Sequence, residues 1–491
     1  MKEKPGIKTY TGLFTMVFLF WFLFFPGGTS IAETKTTKTD IIAEEILEGF
    51  EEGFEDDDPF STIDVDLSGQ KSVLSDDTPF RIGGFVKLEA EYGFNKKDEN
   101  LSKLQPVLFI ESQYKLNENY RVKLSGQAFY DAAYDIEAKD RQSNLDDESC
   151  DVELKDFYLE GKLGTVFSIR LGRQVIAWGD SDYAKITDVV NPRDLTQPGL
   201  IDLEDARIPV TSFRVSGIFD TWVFDAVTIH EHPGSKISGK GSDFDYFIRL
   251  RNSGVSINEK QTPDFGLEET GVALKVTHAF NGGDVSFVAA NVYDDQPYLS
   301  YKGLNNGIMQ FSPEYDRVST YGISSSLAKG SGLFKLETAF RQDKIIMTND
   351  FSTQISSGLS PSSVRTTSTE NQVLALAGAE YTGFTDLRLS FEAQVTHTID
   401  HKSNMVVDEN EVVTYFQATK DLFNQTLELD LFWVHLNPGN GNILRLSFTY
   451  DLLDAVSFQA GIVFYESDKK TSDLHSYKDQ DKVFVRVKYS F

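Results

Sequence analysis

The chain has 491 residues, with 75 Asp or Glu against 47 Lys or Arg and a formal net charge of -28, a balance that excludes a nucleic-acid partner held on a basic face. Its single Cys excludes a disulfide scaffold, a zinc ribbon and haem attached through a Cys-x-x-Cys-His motif. High Phe, Tyr and Gly with low Met and Pro leave soluble β proteins and outer-membrane barrels as the classes to separate.

Lys2, Lys4 and Lys8 precede an apolar run from Leu13 to Phe25, and Pro26, Gly27 and the small-residue pattern Ser30-Ile31-Ala32 follow it. Residues 1–32 therefore read as a secretory signal peptide cleaved after Ala32. The competing anchor helix would need roughly 20 apolar residues. No later stretch is apolar enough for a spanning helix, so membrane residence would require a closed β-barrel, in which no sheet edge is left to lipid.

Residues 33–79 form an acidic lead segment. Ile41, Ile42, Ile46, Leu47, Phe50 and Phe54 recur at helical spacing among carboxylates, and Gly53 with Asp56-Asp57-Asp58-Pro59 ends any helix. Residues 41–58 suit a periplasmic docking peptide, a lumen plug or a weak cation site; a solvated tail explains the same composition.

From Phe80 onward the period is two. Ile82, Val86, Leu88 and Tyr92 alternate with Arg81, Lys87, Glu89 and Glu91, and Leu387, Leu389, Phe391, Ala393 and Val395 alternate with Arg388, Ser390, Glu392 and Gln394, the pattern of strands with one apolar and one wet face. About 18 such segments are predicted over residues 80–491; the weaker ones leave 16 or 20 open. Short connections of Gly, Asn or Asp turn chemistry fall at Asn117–Asn119, Gly164-Thr165, Asp220, Asn281-Gly282 and onward, and long ones lie between them. That asymmetry belongs to an outer-membrane barrel, with short turns at the periplasmic end, long loops outside and both ends of the chain in the periplasm. The fold class expected is all-β, a transmembrane antiparallel barrel. The last strand, through Val483, Val485, Val487 and Tyr489 to Phe491, resembles the terminal signal read by the barrel-assembly machinery, with Phe491 as its aromatic end.

Inward by this phase are many charged residues of both signs, among them Arg121, Lys123, Arg170, Arg388, Arg445 and Arg486. Such residues need water or one another. They are constriction candidates biasing permeation toward anions, or else wall residues paired across strands.

The stretch RLGRQVIAWGDSDYAKITDVVNPRDLTQPG begins as a strand from Ser168 to Trp178 and runs into a loop holding Asn191, Pro192, Arg193 and Asp194. It resembles the outer-membrane proteins catalogued as domain of unknown function 1302; Arg170, Gly172, Arg173, Gln174, Trp178, Gly179, Asn191, Pro192 and Pro209 carry the likeness. The resemblance implies an outer-membrane location and, by association with envelope exporters and periplasmic lipid carriers, a part in moving hydrophobic or lipid-like compounds. It implies no active site.

Physically, the loop at 180–209 is long enough to fold into the mouth and narrow it, with Arg170, Gln174 and Trp178 turned toward it. Alternatively it caps the barrel, and Trp178 joins the interfacial aromatic belt. The 231–269 loop, with Lys236, Lys240, Arg249 and Arg251, is a second lid, solvated or touching anionic lipopolysaccharide.

No phosphate loop, His-Glu-x-x-His helix or nucleophile elbow occurs. His230 with His232, and His397 with His401, are weak metal signals, so neither cofactor, metal nor catalytic residue is expected. The chain thus reads as a porin-like channel for small solutes, partnered by outer-membrane lipid and lipopolysaccharide. An accessory barrel for lipid-like cargo, docked to a periplasmic partner through residues 41–58, and a structural or adhesive barrel are the alternatives.

Overall fold

Alternation and turn chemistry produce a single closed sheet. The computed structural model describes residues 79–491 apart from 96–99, 137–145, 203–205, 259, 351–353, 355–363, 438 and 471. The expected signal peptide and the acidic helix at 41–58 lie outside the described residues.

In chain order the strands are β1 (Phe80–Gly93), β2 (Asn100–Asn117), β3 (Tyr120–Tyr130), β4 (Cys150–Leu163), β5 (Phe167–Gln174), β6 (Val210–Phe219), β7 (Trp222–Ile229) and a short β8 (Ser256–Ile257). Then come β9 (Gly271–Phe280), β10 (Gly283–Tyr293), β11 (Tyr298–Asn305), β12 (Ile308–Glu314), β13 (Arg317–Lys329), β14 (Gly332–Met347) and β15 (Thr367–Phe384). The chain finishes with β16 (Leu387–Thr398), β17 (Asn410–Leu422), β18 (Leu427–Asn437), β19 (Gly441–Leu453), β20 (Val456–Glu466) and β21 (Lys482–Ser490). All but β8, β11 and β12 form one antiparallel 18-stranded sheet. The three exceptions make a small separate sheet within the long connections, packed around Phe247, Val255, Leu299 and Phe311. Alternation inside a long loop gave no reason to expect it.

Closure is explicit. β1 pairs with β21 from Phe85↔Ser490 to Gly93↔Lys482, and Gly84 and Phe491 exchange backbone hydrogen bonds of 3.0 and 2.9 Å. Glycine is required at this seam, because a Cβ on Gly84 would lie 2.2 Å from the Phe109 carbonyl oxygen. With no edge left, every ladder group can be satisfied inside the sheet.

The outward residues are apolar, as the alternation predicts: Ile82, Val86, Leu88, Leu171, Phe287, Leu336, Phe391 and Val485 are exposed, while Glu89, Glu337, Glu392 and Asp430 are buried inside. The short connections collect at one rim, where Gly164, Asp220, Gly282, Gly330 and Asp386 adopt positive φ, as tight hairpins need. Among the described residues no helix is long and apolar enough to cross a membrane.

One predicted strand is too long. β5 stops at Gln174 rather than Trp178, because Asn191 takes over the backbone there: its Oδ1 accepts from Ile176 N at 2.7 Å and its Nδ2 donates to the Gln174 carbonyl at 3.3 Å. The period-two pattern continues through Ile176 and Trp178, but the segment has left the wall and lies inside the barrel.

Candidate functional site

The lumen holds the 175–209 loop, and the sequence of that loop explains its path along the inner wall. Ile176, Trp178 and Val190 pack on the inward residues Val210, Val227, Ile229, Ala273, Val288, Ala290 and Val292 of β6, β7, β9 and β10. Ala184 and Ile186 then meet Ala339, Leu374 and Leu376 of β14 and β15. Tyr183 stacks on Tyr415 at 5.3 Å between ring centroids, and Leu200 enters a cluster with Ile443, Val463, Tyr465 and Phe484. Apolar burial of this kind, about 25 cal/mol per Å², holds the loop down.

Polar contacts fix its register. Glu337 on β14 accepts from the backbone N–H groups of Asp180, Ser181 and Thr187 at 2.9, 2.7 and 3.0 Å, and from the Thr187 hydroxyl at 2.7 Å. Glu392 on β16 accepts from the Ser181 hydroxyl and from Asp182 N at 3.1 Å. These carboxylates are inward by phase, yet the residues they hold lie far away in the chain, so sequence spacing gave no sign of the pairing.

Within the loop, Asn191 is fully buried, and its Nδ2 also donates to Ile208 O at 2.8 Å, tying the two ends together. Ile208 N donates to Pro192 O at 2.8 Å. Arg193 donates to the carbonyls of Tyr183 and Ala184 at 2.6 and 3.0 Å, and Asp194 Oδ1 closes a turn on Thr196 N at 2.9 Å. The motif residues thus fold the loop upon itself. Asp188 is buried against Arg207 at 2.9 Å and Arg193 at 3.6 Å. Burial alone would raise its carboxyl, but Arg207 and then Arg193 outweigh that and hold it below the usual carboxylate range. Burial, followed by the charge of Asp182, pushes the Tyr183 phenol up.

The predicted wall residues fall into three groups. Arg121 and Arg170 share Glu160 at 2.8 and 3.5 Å, while Lys123 pairs with Glu111 at 3.0 Å and Asp156 at 3.7 Å; all three bind wall carboxylates. Arg445 and Arg486 converge instead on the loop, reaching the two oxygens of Asp202 at 3.2 and 2.8 Å, and Arg486 also donates to Leu200 O at 2.7 Å. Arg388 stands apart, exposed near the short-turn rim. Gln174 is fully buried at the root of the loop. Trp178, only 2% exposed, is a core residue of the lumen, and its assignment to an outer aromatic belt is corrected.

Between the loop and the β1–β4 wall remains a hollow of ≈180 Å³, with room for on the order of ten waters. Lys87, Lys103, Lys155 and Lys236 face it beside Glu89, Asp131, Glu153 and Asp202. Lys103 reaches Gln197 Oε1 of the loop at 2.7 Å and Glu89 and Glu91 of the wall at 3.4 Å each. Lys482 lies 3.1 Å from both Glu91 and Asp243, the latter on the 230–270 connection. Sequence reading singled out none of Lys103, Gln197, Asp202 and Asp243. Opposite charges alternate around this hollow, a lining suited to hydrated polar solutes rather than hydrocarbon.

No group of three His, Cys, Asp or Glu residues able to hold a metal ion occurs among the described residues. His230 and His232 spend ring nitrogens on Thr270 Oγ1 at 3.0 Å and Glu269 O at 2.7 Å. His397 and His401 engage Asn410 Oδ1 at 2.9 Å and Val407 O at 3.0 Å. Cys150 is exposed and free.

The family described as protein of unknown function (DUF1302) matches residues 90–491. No curated protein matches the chain. Solved structures similar to it include the Salmonella typhi OmpF complex with Daunomycin, 12% identical over 84% of this chain and 97% of that one, with a TM-score of 0.40. Acinetobacter baumannii OccAB3 is 11% identical over 85% and 100%, with a TM-score of 0.49. Pseudomonas aeruginosa OccK8 (OprE) is 8% identical over 84% and 98%, also with a TM-score of 0.49.

Proposed function

The chain belongs to the family described as protein of unknown function (DUF1302), and we propose that it is an outer-membrane channel passing small hydrated solutes along the hollow beside the 175–209 loop. A closed barrel with an apolar exterior needs hydrocarbon around it and permits polar contents. The observation that carries the reading is the hollow itself, ≈180 Å³ lined by paired charges of both signs. The loop packs on the wall from β6 to β16, tied to β14 and β16 through Glu337 and Glu392, and its later residues, among them Gln197 and Asp202, border the hollow, so it narrows the barrel without closing this side. No bond is made or broken in such a role; selectivity comes from width and from the charges of Lys103, Arg486, Glu89 and Asp202.

Planar-bilayer recording of the detergent-purified chain tests the proposal. Ohmic single-channel steps are expected. A silent barrel, both as wild type and with the loop loosened by Glu337→Gln, overturns it, and a silent barrel that carries bound lipid favours the transfer of lipid-like cargo instead.

A further inference from the structure

The strand register contains an interruption that the channel reading leaves unused. The β4–β5 ladder runs from Leu163↔Phe167 up to Phe157↔Arg173 and ends there, while β4 continues to Cys150. Above Phe157, β4 keeps its β3 partner, with Leu154 opposite Gly126 and Val152 opposite Ala128. On its other side, among the described residues, no strand continues the ladder, because β5 has turned inward at Gln174. Gly172 prepares that departure: its φ is +134° and a Cβ there would lie 2.1 Å from Phe157 O.

Height decides what this notch faces. At about 3.3 Å per residue and a tilt near 40°, a strand climbs about 2.5 Å per residue, and the apolar band of such barrels is about 25 Å tall. Counted from the short-turn rim, β5 ends about 18 Å up, whereas Leu154 lies about 23 Å up. The notch therefore opens within the upper part of the band. Its outer flank is apolar, with Leu154 and Phe157 exposed and Val152 80% exposed. Inside it, Glu153 and Lys155 of the same β4 segment line the polar hollow.

A second observation points to a ligand at this place. Arg173 alternates with the inward Arg170 and Gln174 and lies about 15 Å up on the outward face, a costly position for a charge and one that in membrane proteins marks a pathway. It donates from Nε to Leu154 O at 2.9 Å, across the notch, and pairs with Glu231 beyond the end of β7. From inside, Lys236 of the 230–270 connection approaches Asp151 of this β4 segment at 4.0 Å.

We infer that the interruption between β4 and β5 is a lateral portal through which an amphipathic lipid with an acidic headgroup passes between the polar hollow and the outer leaflet, its head engaged by Arg173 and its chain remaining in hydrocarbon. The hollow supplies the wet side of this path, so the inference rests on the proposed passage being solvated.

A photo-crosslinking amino acid placed at Glu153, in the full chain reconstituted in phosphatidylglycerol vesicles, tests the portal by mass spectrometry of lipid adducts. Leu171, outward on β5, is the positive control, and Gln394, inward on β16, is the negative one. The portal predicts adducts at Glu153 within about threefold of Leu171 and none at Gln394, with the Glu153 yield falling at least fivefold on Arg173→Gln and largely restored by Arg173→Lys. Labelling at Leu171 without labelling at Glu153 overturns it, as does a Glu153 yield indifferent to Arg173→Gln. Conductance of the same preparations separates the two proposals: steps without Glu153 adducts retain the pore and discard the portal, and adducts without steps do the reverse.

Discussion

Replacing Glu337 with Gln should detach the lumen loop while leaving the barrel intact. The two carboxylate oxygens divide four donors between them, Asp180 N and Ser181 N on Oε1, and Thr187 N and Oγ1 on Oε2. An amide offers one acceptor oxygen, so in either orientation two of those donors face an N–H₂ group. Each buried donor stranded in this way costs about 1–3 kcal/mol, so the attachment weakens by about 2–6 kcal/mol, or roughly 30-fold to 20,000-fold in the detached fraction. The apolar contacts of Ile186 and Trp178 remain, and the outcome is a loop that samples detached states. Single-channel recording of Glu337→Gln should show open-state flicker and a larger mean conductance, and limited proteolysis should cut within 180–190 where wild type is protected. Identical traces together with identical protection would refute the assignment of Glu337 as the loop's anchor.

Asn191→Ala removes the three hydrogen bonds that tie Gln174, Ile176 and Ile208 together and should cost about 3 kcal/mol, read as a lower midpoint for heat-induced loss of the compact electrophoretic form; an unchanged midpoint contradicts the stapling role. Because Asp188 is held below the usual carboxylate range, its contribution is fully present above its unfolded value of about 3.9 and is lost as pH falls through the depressed folded value. Loop protection from an acid-active protease should therefore decline below about pH 4 in wild type, whereas Asp188→Asn starts weaker and depends less on pH; parallel profiles would remove Asp188 from the account. Lys103→Glu reverses a charge facing the hollow and should move the zero-current potential in a salt gradient toward cations, while Arg388→Glu, at the rim, should move it less; equal shifts would place the selective charges elsewhere.

The barrel was legible because its physics is local. Strand phase follows from alternation at Ile82, Val86 and Leu88, and turn position from residues such as Asn281-Gly282 that tolerate tight hairpins. The loop around Asn191, singled out by its motif, packs on the inner wall. Its mode of action was hidden, since Trp178 continues the strand pattern after the chain has left the wall, and alternation cannot distinguish a wall strand from an extended segment lying inside. The anchoring pairs join residues remote in sequence, Thr187 with Glu337 and Asp202 with Arg486, and no single-chain periodicity encodes them. Arg121, Lys123 and Arg170 look like lumen charges from the sequence, and only their distances to Glu160 and Glu111 reveal how much of that charge the wall itself compensates.

The central claim is that the open path runs beside β1–β4 and not through the region packed by the loop. Thiol modification during bilayer recording tests it most directly, with Cys150→Ser as background and Cys placed at Gln127, which faces the hollow, or at Ile186, which is buried where the loop packs on β14 and β15. A charged methanethiosulfonate added from either side should reduce the current through the Gln127→Cys channel and leave the Ile186→Cys channel unchanged. Block at Ile186→Cys with no effect at Gln127→Cys would contradict the account.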